Sequence, residues 1–387
     1  MRQGSDHLGK TGLERLSLYF TGPRQVELRT EVQPEPGSGE VLVRSLLSAI
    51  SPGTEMLVYR GQFPAGLPLD VSLSALKGTF AYPLRYGYAV VGEVVQVGQG
   101  GDESWLGRQV FSFQPHASHF VTPLSGLFPL PEGISPQEAV FLPNVETAVN
   151  FLMDGAPLIG EKVAVLGQGI VGLLTTALLA YFPLASLVTL DRYPIRRQAS
   201  LALGAHASFD PDDLEAARSS LSSGWMRSGA HAGWGPSHSP GTKEGGADLV
   251  YELSGNPATL DLAIELCGFG GRVVVGSWYG DKRASIDLGG KFHRNRISLA
   301  SSQVSSLDAH FSARWDKARR LRVAWEMLRR IRPAGSTEEM SREATSSNRL
   351  GKISLITHTF PFERAAEAYR LLDEEPECAI QVVLAYR

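Results

Sequence analysis

Gly167, Gly169 and Gly172, in the run V-A-V-L-G-Q-G-I-V-G, stand directly after an apolar stretch and at the start of a helical one. Glycines at that spacing suit a pyrophosphate: the first permits a tight turn, the second lets the backbone approach the phosphates, and the third lets helix and strand pack closely. The first turn of the helix, Ile170 and Val171, would add the positive end of its dipole. An acid closes the next apolar stretch. Asp191 follows at close to the spacing of about 20 residues expected for ribose recognition. It would accept hydrogen bonds from both adenosine ribose hydroxyls and repel a 2′-phosphate, which favours NAD. Arg192, Arg196 and Arg197 lie beside it, and guanidinium groups there could welcome that phosphate, so NADP stays open. The plain alternative is that these glycines serve only a strand-helix turn. A second phosphate motif, Gly4 to Thr11, satisfies the P-loop pattern letter for letter, but no strand precedes it and no clear helix follows, so it is read as accidental.

The elements that would position these residues fall into two groups. Between residues 16 and 122, short runs rich in β-branched or aromatic residues (Leu16 to Phe20, Glu40 to Ala49, Tyr88 to Val97, Gln109 to Phe113) are separated by Gly and Pro, as in a barrel-like β domain. From about Ala148, apolar strands alternate with helix-length segments: Lys162 to Leu166, Leu187 to Asp191, Asp248 to Leu253, Gly271 to Val275 and Ile297 to Ala300. That alternation predicts an α/β fold, a doubly wound parallel sheet of Rossmann type. Residues 308 to 331 read as a basic helix. A strand (Lys352 to Thr357), a helix (Phe362 to Leu372) and a closing strand (Ala379 to Ala385) then return to the first domain. The expected division is therefore residues 1–147 with 304–387, and residues 148–303. Residues 212–246, rich in Ser, Gly, His and Trp, read as a mobile surface insertion, and Ser336 to Asn348 as a polar loop.

Composition limits the function classes. The chain of 387 residues is 43% hydrophobic and 20% charged, with 37 Lys and Arg against 40 Asp and Glu. A net charge of -3 argues against nucleic acid as a partner. Two cysteines, Cys267 and Cys378, cannot build a disulfide framework, which with the lack of a targeting segment suggests the cytoplasm. The uncharged stretch Val163 to Leu190 could span a bilayer by length, but Gly167, Gly169, Gly172 and Pro183 split it into strand, turn, helix and strand, so no membrane partner is expected.

The order of these parts, with D-L-V-Y-E-L-S-G (248–255) and G-G-R-V-V-V-G (270–276), resembles the medium-chain dehydrogenase/reductase superfamily over nearly the whole chain. Within it, A-I-S-P-G-T-E-M-L-V-Y-R-G (49–61) and R-Y-G-Y-A-V-V-G-E-V-V-Q-V-G (85–98) are similar to the branch that includes bacteriochlorophyllide hydroxyethyl dehydrogenase. The resemblance implies a GroES-like catalytic domain beside the Rossmann domain, with a cleft between them. Zinc members of the family place metal ligands where this chain holds Ser51, Tyr88 and Pro143, with Ala89 where a neighbouring Glu is usual. None is a good zinc ligand, so no metal is expected.

Without a Lewis acid, the carbonyl or hydroxyl of a substrate needs a protein donor or acceptor. The implied cleft offers Ser51, Thr54, Glu55, Tyr88, His116, His119, Asn144, Glu146 and Thr147. Tyr88 could donate a phenolic hydrogen bond beside the nicotinamide, or simply pack the cleft wall. His116 and His119 would face opposite ways on a strand, so both cannot enter the site. Glu55 and Glu146 could act as bases or as halves of buried ion pairs. Thr147 stands where relatives contact the nicotinamide. Ser254, Gly255, Gly276 and Ser277 lie at strand ends facing the cofactor, where plain turn residues would also fit. His293, Arg294 and Arg296 read as a solvated basic face. Gln381 occupies the place of a pyrophosphate-binding Arg in many relatives.

These readings predict zinc-independent hydride transfer between NAD, or NADP, and an alcohol/carbonyl pair on a small molecule. Reduction of an enone or quinone is the alternative, and a non-catalytic nucleotide-binding redox sensor is a third reading of another class. A homodimer pairing through the edge strand near Ile297 to Val304 is expected by resemblance.

Overall fold

The computed structural model describes residues 13–223, 245–334 and 353–387. The P-loop match and the Ser336 to Asn348 loop lie outside them, as does much of the expected insertion.

The first half is β structure. β1 (Glu14–Gly22) and β2 (Gln25–Val32) form an antiparallel hairpin. β3 (Glu40–Ala49) is the hub of a seven-stranded sheet; α1 (Thr54–Arg60) follows it and lies beside the site. β4 (Val90–Val97), β5 (Gln109–Ser112) and β7 (Phe128–Pro129) extend the sheet antiparallel on one side of β3, and β6 (His119–Pro123) also pairs with β3. The short α2 (Pro136–Ala139), capped reciprocally by Ser135 and Glu138, leads to α3 (Leu142–Gly155).

The second half is the parallel sheet. β8 (Lys162–Leu166), α4 (Ile170–Leu179), β9 (Ser186–Leu190), α5 (Pro194–Ala202), β10 (Ala207–Phe209), α6 (Leu214–Ser223), β11 (Ala247–Glu252), α7 (Thr259–Leu266), β12 (Cys267–Val275) and β13 (Ser298–Ser301) follow in chain order. The strands assemble as β10-β9-β8-β11-β12-β13, all parallel. In that order the connections switch sides between β8 and β11, the place at whose carboxyl ends open α/β sheets bind ligands. β8 and β9 are buried almost throughout, as strands covered by helices on both faces must be.

The chain then returns. α8 (Lys317–Ile331), N-capped by Asp316, packs on α3; β14 (Ile356–Pro361), α9 (Ala365–Glu374) and β15 (Gln381–Ala385) finish the seven-stranded sheet, where β15 pairs with β3.

Across the expected boundary at residue 148, α3 runs unbroken and packs on both α4 and α8. Two sequence expectations shift. Residues 214–223, expected in the insertion, form α6, because Ala217 and Leu221 bury against the sheet. The long basic helix from 308 is a single 3-10 turn at Ala309–Phe311 followed by α8, since Asp316 accepts from Arg319 N at 2.6 Å and starts a new helix. Among the described residues no helix is long and apolar enough to cross a membrane, and Val163 to Leu190 is β8, α4 and β9.

Candidate active site

At the nucleotide end the backbone does the shaping. Gly167, at φ +87°, lies so close to the β11 side that a Cβ there would come 2.5 Å from Ser254 Cα. A Cβ on Gly172 would come 1.9 Å from the carbonyl oxygen of Gly167, so helix α4 can start this near the turn only with glycine. Gly169 has open space above it, and the N–H groups of Ile170 and Val171 begin α4 behind it. Gln168, wholly buried, holds the turn from below: its Oε1 accepts from Thr176 at 3.0 Å.

Asp191 ends β9 as expected, and its carboxylate already organises the turn, accepting from Gln168 N at 2.7 Å and Tyr193 N at 2.8 Å. A carboxylate has about four lone-pair positions, so acceptor capacity for a ribose remains. The arginines are divided in use. Arg196 donates to the carbonyls of Pro376 and Ala379 (both 3.0 Å) and lies over the Tyr193 ring, with its nearest nitrogen 4.0 Å from Asp191. Arg197 is tied to the carbonyls of Asp191 and Arg192 and to Asp210. Arg192 alone is exposed with its guanidinium unengaged.

Ser254, Gly255 and Ser277 come together at the ends of β11 and β12: Gly255 N donates to Ser277 Oγ at 2.9 Å, and Ser254 N to the buried Glu252 at 2.8 Å. Gly276 is needed for packing, since a Cβ there would meet the Phe151 ring at 2.3 Å.

On the β domain a second group is a cluster of hydroxyls. Tyr88 OH donates to Ser51 Oγ at 2.7 Å, with Thr54 Oγ1 3.4 Å away. Burial pushes the Tyr88 pKa up, only partly opposed by its bonds to Ser51 and Thr54, so the phenol keeps its proton well above neutral pH. Thr147, its hydroxyl donating to Pro143 O at 2.8 Å, is partly exposed, whereas residues 141–146 and 148–151 are all buried.

The acids and histidines are bonded to other partners than these hydroxyls. Glu55 and His116 are both fully buried and bonded to each other at 2.9 Å. Glu146 pairs with the buried Arg320 at 3.0 Å, so of its two expected roles the structure shows the ion pair. His119 lies half-buried on β6 beside Ser118, its pKa lowered by burial and by Arg44 and Arg15. His293, Arg294 and Arg296 are exposed, and Gln381 is buried, donating to Ile50 O at 2.7 Å. Sequence reading missed Ser48, Tyr369, Tyr386 and Arg320, all brought in from distant segments without a local motif.

Taken together, a glycine turn at the strand-order switch and a hydroxyl cluster on the adjoining β domain fit an oxidoreductase built around a dinucleotide-binding sheet. The zinc-binding dehydrogenase family matches residues 171–321. Over 96% of this chain and 98% of the relative, the chain is 24% identical to the 2-desacetyl-2-hydroxyethyl bacteriochlorophyllide A dehydrogenase of Cereibacter sphaeroides. It is 21% identical to the D-guloside 3-dehydrogenase of Escherichia coli over 95% of this chain and 99% of the relative. Among solved structures it superposes on an alcohol dehydrogenase of Escherichia coli CFT073 in complex with NADH, with a TM-score of 0.67 at 19% identity, covering 97% of this chain and all of that one. These likenesses support the medium-chain dehydrogenase/reductase superfamily for this chain.

Proposed function

We propose that the chain transfers hydride between NAD(H) and an alcohol/carbonyl pair on a small molecule without a catalytic zinc, and that it works best as a carbonyl reductase. The observation that carries this reading is the Tyr88–Ser51 pair at 2.7 Å, two residues that by resemblance occupy metal-ligand positions of the zinc members. Ser51, Thr54 and Tyr88 offer neutral hydroxyls, a poor donor set for zinc, and the nearest acid and imidazole are committed to one another. Among the described residues no group of three His, Cys, Asp or Glu side chains could hold a metal ion.

The nucleotide fits the residues present: Gly167, Gly169 and Gly172 leave room at the start of α4, and Asp191 retains acceptor capacity for the ribose. When bound, the nicotinamide supplies or accepts the hydride. Of the three neighbouring arginines, Arg196 and Arg197 are engaged, so a 2′-phosphate would meet the Asp191 carboxylate with Arg192 left to balance it, which favours NAD over NADP. In the reductive direction the Tyr88 O–H turns from Ser51 to the substrate oxygen and gives it the proton as hydride reaches the carbon, the Ser51 O–H then donates to the phenolate, and the phenolate regains its proton from water. The opposite direction would use the same phenolate as base, a form that burial disfavours, and enone or quinone reduction, which needs mainly such a donor, is the second reading. Ser298 to Ser301 of β13, exposed at the sheet edge, would serve a homodimer.

The test is NADH and NADPH titration of the purified protein with metal analysis, then NADH oxidation against carbonyl, enone and quinone compounds. NADH binding without stoichiometric zinc, with turnover of a carbonyl, supports the proposal. Stoichiometric zinc at the cleft overturns it, and nucleotide binding without any turnover favours the sensor.

A further inference from the structure

Ser51 and Tyr88 come from separate segments, yet one imidazole touches the support of both. His116 is fully buried. Its Nε2–H donates to Glu55 Oε2 at 2.9 Å, and the other oxygen of that carboxylate accepts from the backbone N–H of Ser51 at 2.9 Å. Glu55 N donates in turn to Ser51 O at 3.1 Å, so the carboxylate and the backbone both grip the residue that receives the Tyr88 hydrogen bond.

The same ring lies under the residue before Tyr88. A Cβ on Gly87 would come 2.6 Å from His116 Cδ2, and Gly87 sits at φ +109°, so the imidazole fills the space that any side chain there would need. On its far side, His116 Nδ1 shares a 2.7 Å hydrogen bond with Ser48 Oγ, which lies 2.8 Å from Tyr386 OH. Tyr369 OH donates to Glu55 Oε2 at 2.5 Å. The ring is therefore fixed at both nitrogens and on one face, and it cannot shift without moving Ser51, Gly87 or both.

We propose that His116 is a positioning residue that sets the spacing of the Tyr88 and Ser51 hydroxyls from beneath the cleft. This rests on the reading of Tyr88 as the donor to substrate oxygen. His116 itself never meets substrate: it acts through Glu55 on one hydroxyl and through the backbone of Gly87 on the other. An off-register pair would still bind nucleotide, because among the described residues no hydrogen bond joins the glycine turn to this network, but its donor would miss the developing charge.

The test labels tyrosine at Cζ with carbon-13 in the full-length protein and assigns the Tyr88 resonance by its absence in Tyr88→Phe. In His116→Ala the Tyr88 resonance is expected to move and broaden. In His116→Gln, whose amide can donate to Glu55 and accept from Ser48, it should stay near the wild-type position. Ser48→Ala, which removes only the Nδ1 contact, should give a smaller movement and serves if His116→Ala does not fold. With the best carbonyl compound of the screen, His116→Ala should lose about tenfold or more in kcat while its NADH dissociation constant holds. An unmoved Tyr88 resonance in folded His116→Ala or Ser48→Ala overturns the proposal, as does a glutamine variant no better than alanine. Should the resonance move as expected while the wild type reduces no carbonyl, the positioning role stands and the assigned activity falls.

Discussion

The glycine turn is built from backbone, and the hydroxyl cluster from side chains. At the first, Gly167 and Gly172 leave no room for a Cβ, and Asp191 bonds residues at most 23 positions away. At the second, Tyr88 reaches Ser51 across 37 positions, Glu55 meets Tyr369 across 314, and Ser48 meets Tyr386 across 338. A site encoded in consecutive residues tolerates change in the rest of the molecule; a site assembled from both ends of the chain depends on the whole fold staying closed.

That contrast can be broken at several points. The largest effect is expected at Arg320, the fully buried cation that joins Glu146, Asn150 and the carbonyls of Val304 and Ser306. Arg320→Ala leaves Glu146 buried and unpaired and should cost about 3–5 kcal/mol, read as a loss in urea denaturation. A cost below that of an exposed ion pair would mean this link between α3 and α8 is dispensable. Next comes Tyr88→Phe, which should slow turnover by about 10²–10³-fold, the usual loss for one oxyanion donor, with NADH affinity intact. Equal turnover would reduce Tyr88 to packing.

The pH dependence sharpens the same point. Because burial raises the Tyr88 pKa above its usual 10.0, its donor form persists through neutral and mildly alkaline pH, and wild-type reduction should show no loss from this group up to that value. A fall near pH 7 that vanishes in Tyr88→Phe would contradict it. Asp191→Ala should weaken NADH by about 10–100-fold, the range for hydrogen bonds to a charged group, while weakening NADPH less. The smallest change is expected at Arg192, exposed at the rim. Arg192→Ala should weaken NADPH by less than about fivefold, as for a surface ion pair, and leave NADH unchanged.

What could be read beforehand follows the same division. β3 at Glu40–Ala49 and β8 at Lys162–Leu166 match their expected limits, and the glycine turn with Asp191 at the end of β9 was legible because apolar runs and turn residues act locally. β2 escaped notice: its residues are nowhere fully buried, so it carries no apolar signature beyond a hairpin's pairing with β1. Of the candidate residues, Tyr88, Ser51 and Thr54 do converge. The partners that decide what Glu55, Glu146 and His116 can do were invisible. Nothing near Glu146 in sequence announces Arg320, which stands 174 positions away, and nothing near His116 announces Ser48 or Glu55.

The grip of Arg196 on the carbonyls of Pro376 and Ala379 has a consequence for redesign. Those carbonyls lie just before Gln381, whose amide holds Ile50, the neighbour of Ser51. An engineer seeking a phosphorylated coenzyme would be drawn to a guanidinium so close to Asp191, yet recruiting it would unfasten the tail that braces the opposite end of the cleft. Coenzyme preference in this scaffold is better tuned at Arg192, whose exposed side chain can be changed without disturbing an existing joint.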